Sequence, residues 1–477
     1  MKTGKVIKLL ISIAAFLIVW LMPATAFGIE GLTEIEHRVI ALFVFGALMW
    51  ILEAIPIWTT SVLVIVLMIL TVSDSMFAPL NDAGAEGFGR LISHKSIMAS
   101  FADPIIMLFM GGFALAIGAT KCGLDQNLAR VLLKPFGTRS EVVLLGFMIV
   151  TAIFSMFMSN TATAAMMLAI VAPILNQLPS EGKGRTALML GIPIAANVGG
   201  IGTPIGTPPN AIALGYMQKH AELGVDIGFG QWMAAMVPFV IVVMAFSWFL
   251  LTRLFPFSRR NVTIKIEGEF RKDAKAIIVY VTFAVTVILW VLDRYTGINS
   301  NAVAMIPLAV FAVTGILGKE ELKSINWDVL WLVAGGFALG VGLQESGLAK
   351  SLVASIPFGS WPPVLVIAGS GLVCYLMSTF MSHTASTALL VPILATVATG
   401  MKDVLADYGG AETMLIGVAI CASLAMALPI STPPNALAYS TGAVKQAEMA
   451  KTGIIIGVVG IALGYAVLIG AVKSGLF

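Results

Sequence analysis

Two short polar segments lie in the middle of long apolar stretches, and both carry groups that could bind ions. Ser159-Asn160-Thr161 is the first, inside a segment from 142 to 180 that has no charged side chain. Ser382-His383-Thr384 is the second, 223 residues further on, between Lys350 and Lys402. Polar side chains within an apolar span are functional candidates, because a helix in lipid does not need them. The two triplets therefore predict two parts of one polar site.

A second pair of segments combines proline, glycine, threonine and asparagine. Gly199–Asn210 holds three prolines and four glycines in twelve residues, and Leu428–Asn435 follows a similar pattern. Proline removes a backbone donor and glycine loosens the backbone, so a helix must break in each segment and free some carbonyls. At membrane depth such backbone is tolerated only where it is buried in protein or lines a cavity. A simple proline kink would not explain why each break accompanies a polar triplet at matched spacing.

The triplets and the breaks offer complementary chemistry. The N–H groups and the dipole at the start of the helix after each triplet favour an anion. Hydroxyls and freed carbonyls are oxygen ligands for a hard cation such as sodium. The alternative is that the serine hydroxyls bond back to their own helices. The recurrence of the whole pattern favours a joint site for an anion and a cation.

Composition indicates the class of protein. The chain has 477 residues, of which 58% are hydrophobic and 11% charged, with a mean hydropathy of +0.97. Soluble proteins have roughly a quarter charged residues, so we predict an all-α polytopic membrane protein. The net charge of +3 comes from basic residues clustered in loops, which argues against a nucleic-acid partner. The three cysteines form no disulfide or metal pattern.

Apolar runs of spanning length predict about eleven transmembrane helices. They lie at residues 6–28, 37–57, 58–73, 102–120, 187–216, 231–252, 274–292, 301–318, 328–346, 412–440 and 453–472. The first run could be read as a signal peptide that ends at Ala24-Thr25-Ala26, but the many further spans favour a transmembrane helix. The segments 141–178 and 361–400, whose only Asp, Glu, Lys or Arg residue is Glu141, are predicted to be re-entrant hairpins with the triplets at their tips.

The sequence also repeats itself. Gly111–Ala116 is echoed by Gly335–Gly340, and Thr207–Ala211 is echoed by Thr432–Ala436 at nearly the same offset. Each repeat holds five crossings and a hairpin, and five is odd, so the two halves must have opposite orientations. An inverted repeat with a site at the repeat interface is typical of secondary transporters. The first helix, within residues 1–35, lies outside the repeat, which comprises 36–256 and 272–472.

Charged loops predict the orientation. The loop after the fourth span and the 253–275 loop are rich in lysine and arginine, whereas the 74–90 loop is acidic. If both hairpins are re-entrant, the basic loops fall on one side, which the positive-inside rule makes cytoplasmic. The N-terminus is then cytoplasmic and the C-terminus lies outside.

The paired triplets, the paired Thr-Pro-Pro-Asn segments and Glu53-Ala54-Ile55-Pro56 closely resemble the divalent anion/sodium symporter family, which carries dicarboxylates, citrate or sulfate. The resemblance covers essentially the whole chain. It implies a homodimer in a bacterial inner membrane, surrounded by lipid, with sodium ions and no organic cofactor. It also implies a scaffold at 36–140 and 272–348. The moving transport domain would be 141–256 and 361–472, with hairpins 141–178 and 361–400 and broken helices 187–216 and 412–440.

The resemblance further implies a set of site residues. The first sodium site of the family matches Ser155, Ser159, Asn160 and Gly206. The second matches Ser378, His383 and the carbonyl region around Ser431. Substrate contacts match Ser159, Asn160, Thr161, Thr207, Ser382, His383, Thr384, Thr432 and Pro433.

His383 departs from the common family pattern, which has asparagine there. In one interpretation the imidazole replaces the amide as a hydrogen-bond donor, while carbonyls hold the sodium. In the other, a protonated His383 supplies the charge of a sodium ion, and the protein is a sodium-independent anion exchanger. Burial disfavours the charged imidazole and a bound dianion favours it, so both interpretations stay open.

The sequence therefore predicts sodium-coupled import of a small divalent anion by an elevator movement, with a C4-dicarboxylate such as succinate, malate or fumarate as the substrate. Exchange of dicarboxylates or other anions through the same fold is the alternative. A cation/proton antiporter would need a carboxylate in a hairpin or a break, and neither has one. A channel would not explain matched hairpins and breaks, and an enzyme would need a nucleophile with its base or a catalytic metal cluster.

We expect cysteine labelling to establish the orientation. A cysteine introduced in the 253–275 loop should react only from the cytoplasmic side, and one placed after Gly475 only from outside. Labelling of both from the same side would mean that one hairpin is a full span, and the inverted repeat would then be wrong.

Overall fold

The computed structural model describes residues 3–179, 182–219, 221–223, 225–263, 270–355 and 360–477. Residues 1–2 of the predicted first segment and 264–269 of the predicted 253–275 loop lie outside this part of the chain. Within it all regular secondary structure is helical, with two isolated bridges, Ser73 to Ile92 and Arg139 to Asn261. The predicted all-α polytopic architecture is therefore confirmed.

The first half of the chain holds eleven of the described α-helices. They are α1 (Thr3–Leu21), α2 (Glu34–Leu52), α3 (Ile57–Val72), α4 (His94–Ala99), α5 (Pro104–Lys121), α6 (Leu124–Leu133), α7 (Ser140–Ser155), α8 (Asn160–Leu175), α9 (Lys183–Gly200), α10 (Pro208–Lys219) and α11 (Phe229–Leu254). The helices α7 and α8 form the first predicted hairpin, and α9 and α10 are the two parts of the first broken helix.

The second half repeats this order. It holds α12 (Ala274–Val291), α13 (Asp293–Thr296), α14 (Ser300–Val303), α15 (Met305–Val313), α16 (Lys319–Lys323), α17 (Trp327–Ser346), α18 (Leu348–Ser355), α19 (Pro363–Phe380), α20 (His383–Gly400), α21 (Lys402–Leu405), α22 (Gly410–Leu424), α23 (Pro433–Ser440) and α24 (Gln446–Lys473). The second hairpin is α19 and α20, and the second broken helix is α22 and α23.

Nine helices in the described ranges are long and apolar enough to cross a membrane. The bent pair Lys402–Tyr408 and Gly410–Leu424 would be a tenth span if its two parts are counted as one. The predicted spans 187–216 and 412–440 are not continuous helices, because their prolines and glycines interrupt them as the sequence indicates. Both arms of the second hairpin are 18 residues long, whereas those of the first have 16. Length alone therefore does not separate hairpin arms from spans.

The two halves pack through reciprocal crossings. Helix α5 packs on α15 of the other half, and α17 packs on α3. Glycines allow both close approaches: a Cβ on Gly111 would lie 2.1 Å from the Ala304 carbonyl oxygen, and one on Gly335 would lie 2.4 Å from Ser61 Cβ. Gly111 and Gly335 are equivalent positions in the repeated Gly-Gly-Phe-Ala-Leu segment. The repeated sequence segment thus forms the same kind of close helix contact in each half, α5 with α15 and α17 with α3.

Polar contacts join loops at the two ends of the helix bundle. At the end that carries the basic loops, which we call the basic face, the pairs are Lys121 with Glu321, Ser140 with the Arg259 carbonyl and Thr186 with the Ala443 carbonyl. At the opposite end, the acidic face, they are the Ser93 N–H with Glu345, Ser351 with Glu36 and Lys402 with the Glu222 carbonyl. The hydrogen bond from Lys121 is the largest cause that lowers the pKa of Glu321 to about 2.

Substitution of the crossing glycines should destabilise the fold selectively. Gly111→Ala and Gly335→Ala force a methyl group into occupied space, which costs about 1–3 kcal/mol of stability. Gly112→Ala is the matched control, since its nearest neighbour is 3.5 Å away and alanine favours a helix. Thermal unfolding in detergent should show lower melting temperatures for the first two variants only. Equal melting temperatures for all three would contradict the close approach.

Candidate functional site

A cavity of about 1230 Å³ lies where both hairpin tips and both helix breaks meet. Eleven of the residues predicted from the sequence line it: Ser159, Asn160, Thr161, Gly206, Thr207, Ser382, His383, Thr384, Ser431, Thr432 and Pro433. Ser155 and Ser378 do not line it; both are completely buried behind their tips. The structure therefore brings together residues from four segments that are far apart in the sequence.

The cavity opens toward the basic face. Its wall there comes from Glu53 in the turn between α2 and α3, from Trp58 in the first turn of α3, and from the start of α17 at Asn326 and Asp328. Phe109 of α5 and Leu332 of α17 continue the wall. The exposed residues of the lining include Glu53, Trp58, Asn326 and Asp328, all on the side of the basic loops.

The first tip is a helix N-terminus that is capped by its own serine. Ser159 accepts a hydrogen bond of 3.1 Å from the Ala162 N–H and is the N-cap of α8. Serine is one of the preferred residues at this position, because its oxygen satisfies an N–H that has no partner in the helix. The polar triplet therefore starts a helix whose N-terminus faces the cavity.

Behind this tip, oxygen atoms of four residues converge. Asn160 Oδ1 lies 2.6 Å from Ser155 Oγ, 3.3 Å from the Ala196 carbonyl oxygen and 3.1 Å from the Gly206 carbonyl oxygen. Ser155 has one proton for two acceptors, since the Ala196 oxygen is also 2.7 Å away. The turned amide satisfies these groups better, because its nitrogen then faces the Ser155 hydroxyl and the two carbonyls with two protons to donate. The Ser155 hydroxyl and the Ala196 and Gly206 carbonyls are oxygen ligands that suit a hard cation, and the Asn160 oxygen joins them only when the amide turns its oxygen toward them.

The second tip differs because of its imidazole. His383 Nε2 lies 2.9 Å from the Ala425 carbonyl oxygen, which the second helix break frees. Since a carbonyl can only accept, Nε2 must carry a proton and donate. Ser378 Oγ lies 3.8 Å from Cys374 Sγ. The tip that carries histidine therefore presents a ring nitrogen to one carbonyl, where the first tip places an amide among a hydroxyl and two carbonyls.

One asparagine holds each break in place. Asn210 Nδ2 donates to the carbonyl oxygens of Gly200 (3.0 Å), Ile201 (3.3 Å) and Thr203 (2.8 Å). At the second break, Asn435 Nδ2 donates to the carbonyl oxygens of Met426 (2.8 Å) and Leu428 (3.0 Å).

These asparagines close the Thr-Pro-Pro-Asn segments, which explains the residue type at that position. An amide donates to several acceptors without carrying a charge into the protein interior. The freed carbonyls predicted from the prolines are thus partly satisfied by side chains.

Sequence reasoning missed several residues of the site. Asn197 is 1% exposed, yet it lies at the cavity wall and bonds to the second break. It is a polar residue in an apolar span, so the signal was present in the sequence. The aromatic residues Trp58, Phe109 and Phe113 also line the cavity, but nothing in their local sequence separates them from ordinary core residues.

The cavity contains little formal charge. Its lining has two acidic residues, Glu53 and Asp328, and no lysine or arginine in the part of the chain that is described. No group of three or more His, Cys, Asp or Glu residues there could hold a metal ion. The chemistry of the site therefore comes from hydroxyls, amides, carbonyls and helix N-termini.

Solved structures of two transporters share this fold. The crystal structure of the YdaH transporter of Alcanivorax borkumensis matches with a TM-score of 0.55 at 14% identity, over 80% of this chain and 88% of that one. MtrF of Neisseria gonorrhoeae matches with a TM-score of 0.52 at 15% identity, over 86% and 94% of the two chains. At this level of identity the likeness shows a shared fold, that of a polytopic membrane protein.

The sequence identifies the family. The model of the sodium:sulfate symporter transmembrane region matches residues 3–472, so the chain belongs to that family, and the resemblance found in the motifs is confirmed. An uncharacterized transporter of Haemophilus influenzae is 31% identical over 444 residues, which cover 88% of both chains. The sodium-dependent dicarboxylate transporter SdcS of Staphylococcus aureus is 29% identical over 491 residues, covering 94% of this chain and 88% of SdcS. The protein is accordingly an integral membrane transporter and not an enzyme.

We expect the two asparagines at the breaks to be needed for stability. Asn210→Ala and Asn435→Ala leave carbonyls without donors, at about 1–3 kcal/mol for each buried carbonyl that stays unbonded. Both variants should melt at a lower temperature than the wild-type protein. Asn326→Ala is the control, since Asn326 is an exposed residue at the cavity mouth. Unchanged melting of the two variants would mean that water replaces the amide.

Proposed function

We propose that this protein is a secondary active transporter that imports a small divalent anion, with a C4-dicarboxylate such as succinate, malate or fumarate as the substrate and sodium as the coupling ion. The observation that carries the proposal is the convergence of four helix N-termini on one cavity that lacks lysine and arginine. They are the starts of α8 at Ser159, α10 at Thr207, α20 at Ser382 and α23 at Thr432.

The charge balance supports a divalent anion. Each helix N-terminus is equivalent to roughly half a positive charge, so the four together supply roughly two. The two carboxylates of the lining, Glu53 and Asp328, are exposed to solvent, which screens their effect on the hairpin tips. The N-termini of α8 and α20 also present N–H groups that suit carboxylate oxygens, whereas α10 and α23 begin with Pro-Pro pairs that lack an N–H and contribute through the helix dipole. The hydroxyls of Thr161 and Thr384 at the tips can add neutral donors, which help to orient a substrate without repelling sodium.

The oxygen cluster supports a coupling sodium ion at the first tip. Ser155, Asn160, Ala196 and Gly206 converge there without a carboxylate, so a bound cation would leave a net positive charge beside the substrate. A cation and a dianion in adjacent positions stabilise each other, which would couple their binding. SdcS, at 29% identity, is named as sodium-dependent and as a dicarboxylate transporter.

The packing supports an elevator movement. The hairpins pack on the broken helices, α8 on α9 and α20 on α22, and each half also contacts the other through α10 with α20 and α8 with α23. These elements enclose the site as one unit, while α5 and α17 form walls beside it. Movement of the unit along those walls would expose the site at the acidic face. This proposal includes the residue boundaries of the scaffold and the transport domain given above. It also includes a homodimer and a bacterial inner membrane with the N-terminus on the cytoplasmic side.

One observation favours a second candidate function, sodium-independent anion exchange. The Ala425 carbonyl, which would be free to bind a cation, accepts a hydrogen bond from His383 instead. A protonated imidazole at this point would supply a positive charge in place of sodium. The protein would then need a counter-substrate rather than a sodium gradient.

Uptake of labelled succinate into proteoliposomes tests the proposal. With an inward sodium gradient, uptake should exceed that of protein-free liposomes, and replacement of sodium by choline should abolish it. His383→Asn should keep sodium-driven uptake, because the common family residue and the first oxygen cluster are then both present.

Exchange predicts the opposite result in the same assay. Full uptake in choline that requires internal succinate would overturn sodium coupling and establish the second candidate. His383→Asn should then lose that uptake. An absence of succinate transport under every condition would reject the dicarboxylate as substrate.

A further inference from the structure

Asn197 lies at the end of α9 and connects it to the second helix break. Its Nδ2 donates to Thr432 Oγ1 at 3.2 Å and to Asn435 Oδ1 at 3.3 Å. The three residues are between 1% and 5% exposed, and Asn197 and Thr432 both line the cavity. Both N–H bonds of the buried Asn197 amide therefore point to the second helix break, which at Thr432 is 235 residues further along the chain.

A chain of hydrogen bonds determines which atoms donate. The carbonyls of Met426 and Leu428 can only accept, so the Asn435 amide must turn its nitrogen to them and its oxygen to Asn197. The Asn435 oxygen in turn requires that Asn197 present its nitrogen. Two backbone carbonyls thus determine the orientation of two side-chain amides in succession.

The chain ends at the hydroxyl of Thr432. Its Oγ1 accepts from Asn197 Nδ2 and also from the Asn435 N–H, at 3.3 Å, as the N-cap of α23. A hydroxyl oxygen has two lone pairs, and both are then occupied. The Thr432 proton has no acceptor among the described residues, so it remains available to a group in the cavity.

The first break lacks this arrangement. The position equivalent to Asn197, at the offset of 225 that relates Asn210 to Asn435, is Ala422. Asn210 Oδ1 is accordingly a buried acceptor without a partner, whereas Asn435 Oδ1 has one. The equivalent threonines, Thr207 at the first break and Thr432 at the second, therefore have different hydrogen-bond constraints.

We propose that Asn197 is a positioning residue that turns the Thr432 hydroxyl into an obligatory donor toward a carboxylate of the substrate. A hydroxyl that can only donate favours an anionic acceptor, and it would be a poor partner for a group that itself needs an acceptor. The inference rests on the proposed dicarboxylate function, because it assigns a partner to one of the carboxylate groups.

Calorimetric titration of the purified protein with succinate in sodium tests this role, together with thermal unfolding of each variant. Asn197→Ala frees the Thr432 proton to point elsewhere, and Thr432→Val removes it. A lost hydrogen bond to a charged group lowers affinity about ten- to hundredfold, and each variant should show such a loss. The double variant should lose no more than Thr432→Val alone, since Asn197 acts through that hydroxyl.

Three further variants separate positioning from general stability. Asn197→Asp should weaken binding more than Asn197→Ala, because Thr432 would then donate to the new carboxylate. In the Thr432→Ser background, which keeps a hydroxyl, Asn197→Ala should again lower affinity. Thr186→Val is the control: it removes a buried hydrogen bond of α9 to the Ala443 carbonyl, at the basic face and away from the cavity, and should leave affinity unchanged.

The outcomes distinguish this inference from the proposed function. If the wild-type protein binds succinate and the effects of Asn197→Ala and Thr432→Val multiply in the double variant, Asn197 acts independently and the inference is wrong. Wild-type affinity in Asn197→Ala would overturn it as well. If the wild-type protein does not bind succinate in sodium, the proposed substrate fails first, and the inference falls with it.

Discussion

The structure depends on one constraint: the backbone groups that two helix breaks free within the membrane must find partners. A hydrocarbon environment offers none, and each unsatisfied group costs several kcal/mol. The protein meets this constraint with asparagine side chains, Asn210 and Asn435, and with the tips of the hairpins. Because the partners must reach the breaks, each hairpin ends at the depth of a break, and a polar cavity forms where they meet.

The same constraint relates the halves and also distinguishes them. Equivalent asparagines bond equivalent carbonyls, since Ile201 and Thr203 correspond to Met426 and Leu428 at an offset of 225 residues. The hairpin tips are less alike, because the Asn160 amide lies among one hydroxyl and two carbonyls whereas the His383 ring bonds the Ala425 carbonyl. A substrate that lies between the tips would therefore meet two different chemical environments, despite the internal repeat.

Much of this organisation could be predicted from local residue types. The triplets, the Thr-Pro-Pro-Asn segments and the Gly-Gly-Phe repeats each act over a few residues, so their consequences for the backbone can be read directly. Asn197 was missed because its importance depends on Thr432, a residue distant in the sequence. Trp58 and Phe109 were missed for a related reason, since an aromatic residue in an apolar span does not reveal whether it faces a cavity or a core.

The sequence by itself determined the helical class, the places where two helices break and the family, because each follows from composition or from a short motif. The tertiary structure decided which oxygens converge behind the first tip, that Ser155 and Ser378 lie behind the cavity wall, and that His383 bonds the Ala425 carbonyl. It also decided that Thr432 Oγ1 accepts hydrogen bonds from Asn197 Nδ2 and from the Asn435 N–H. The physical reason is that most of these hydrogen-bond roles are assigned between residues 41 to 238 positions apart in the sequence, and only the packed fold brings them within 3.5 Å.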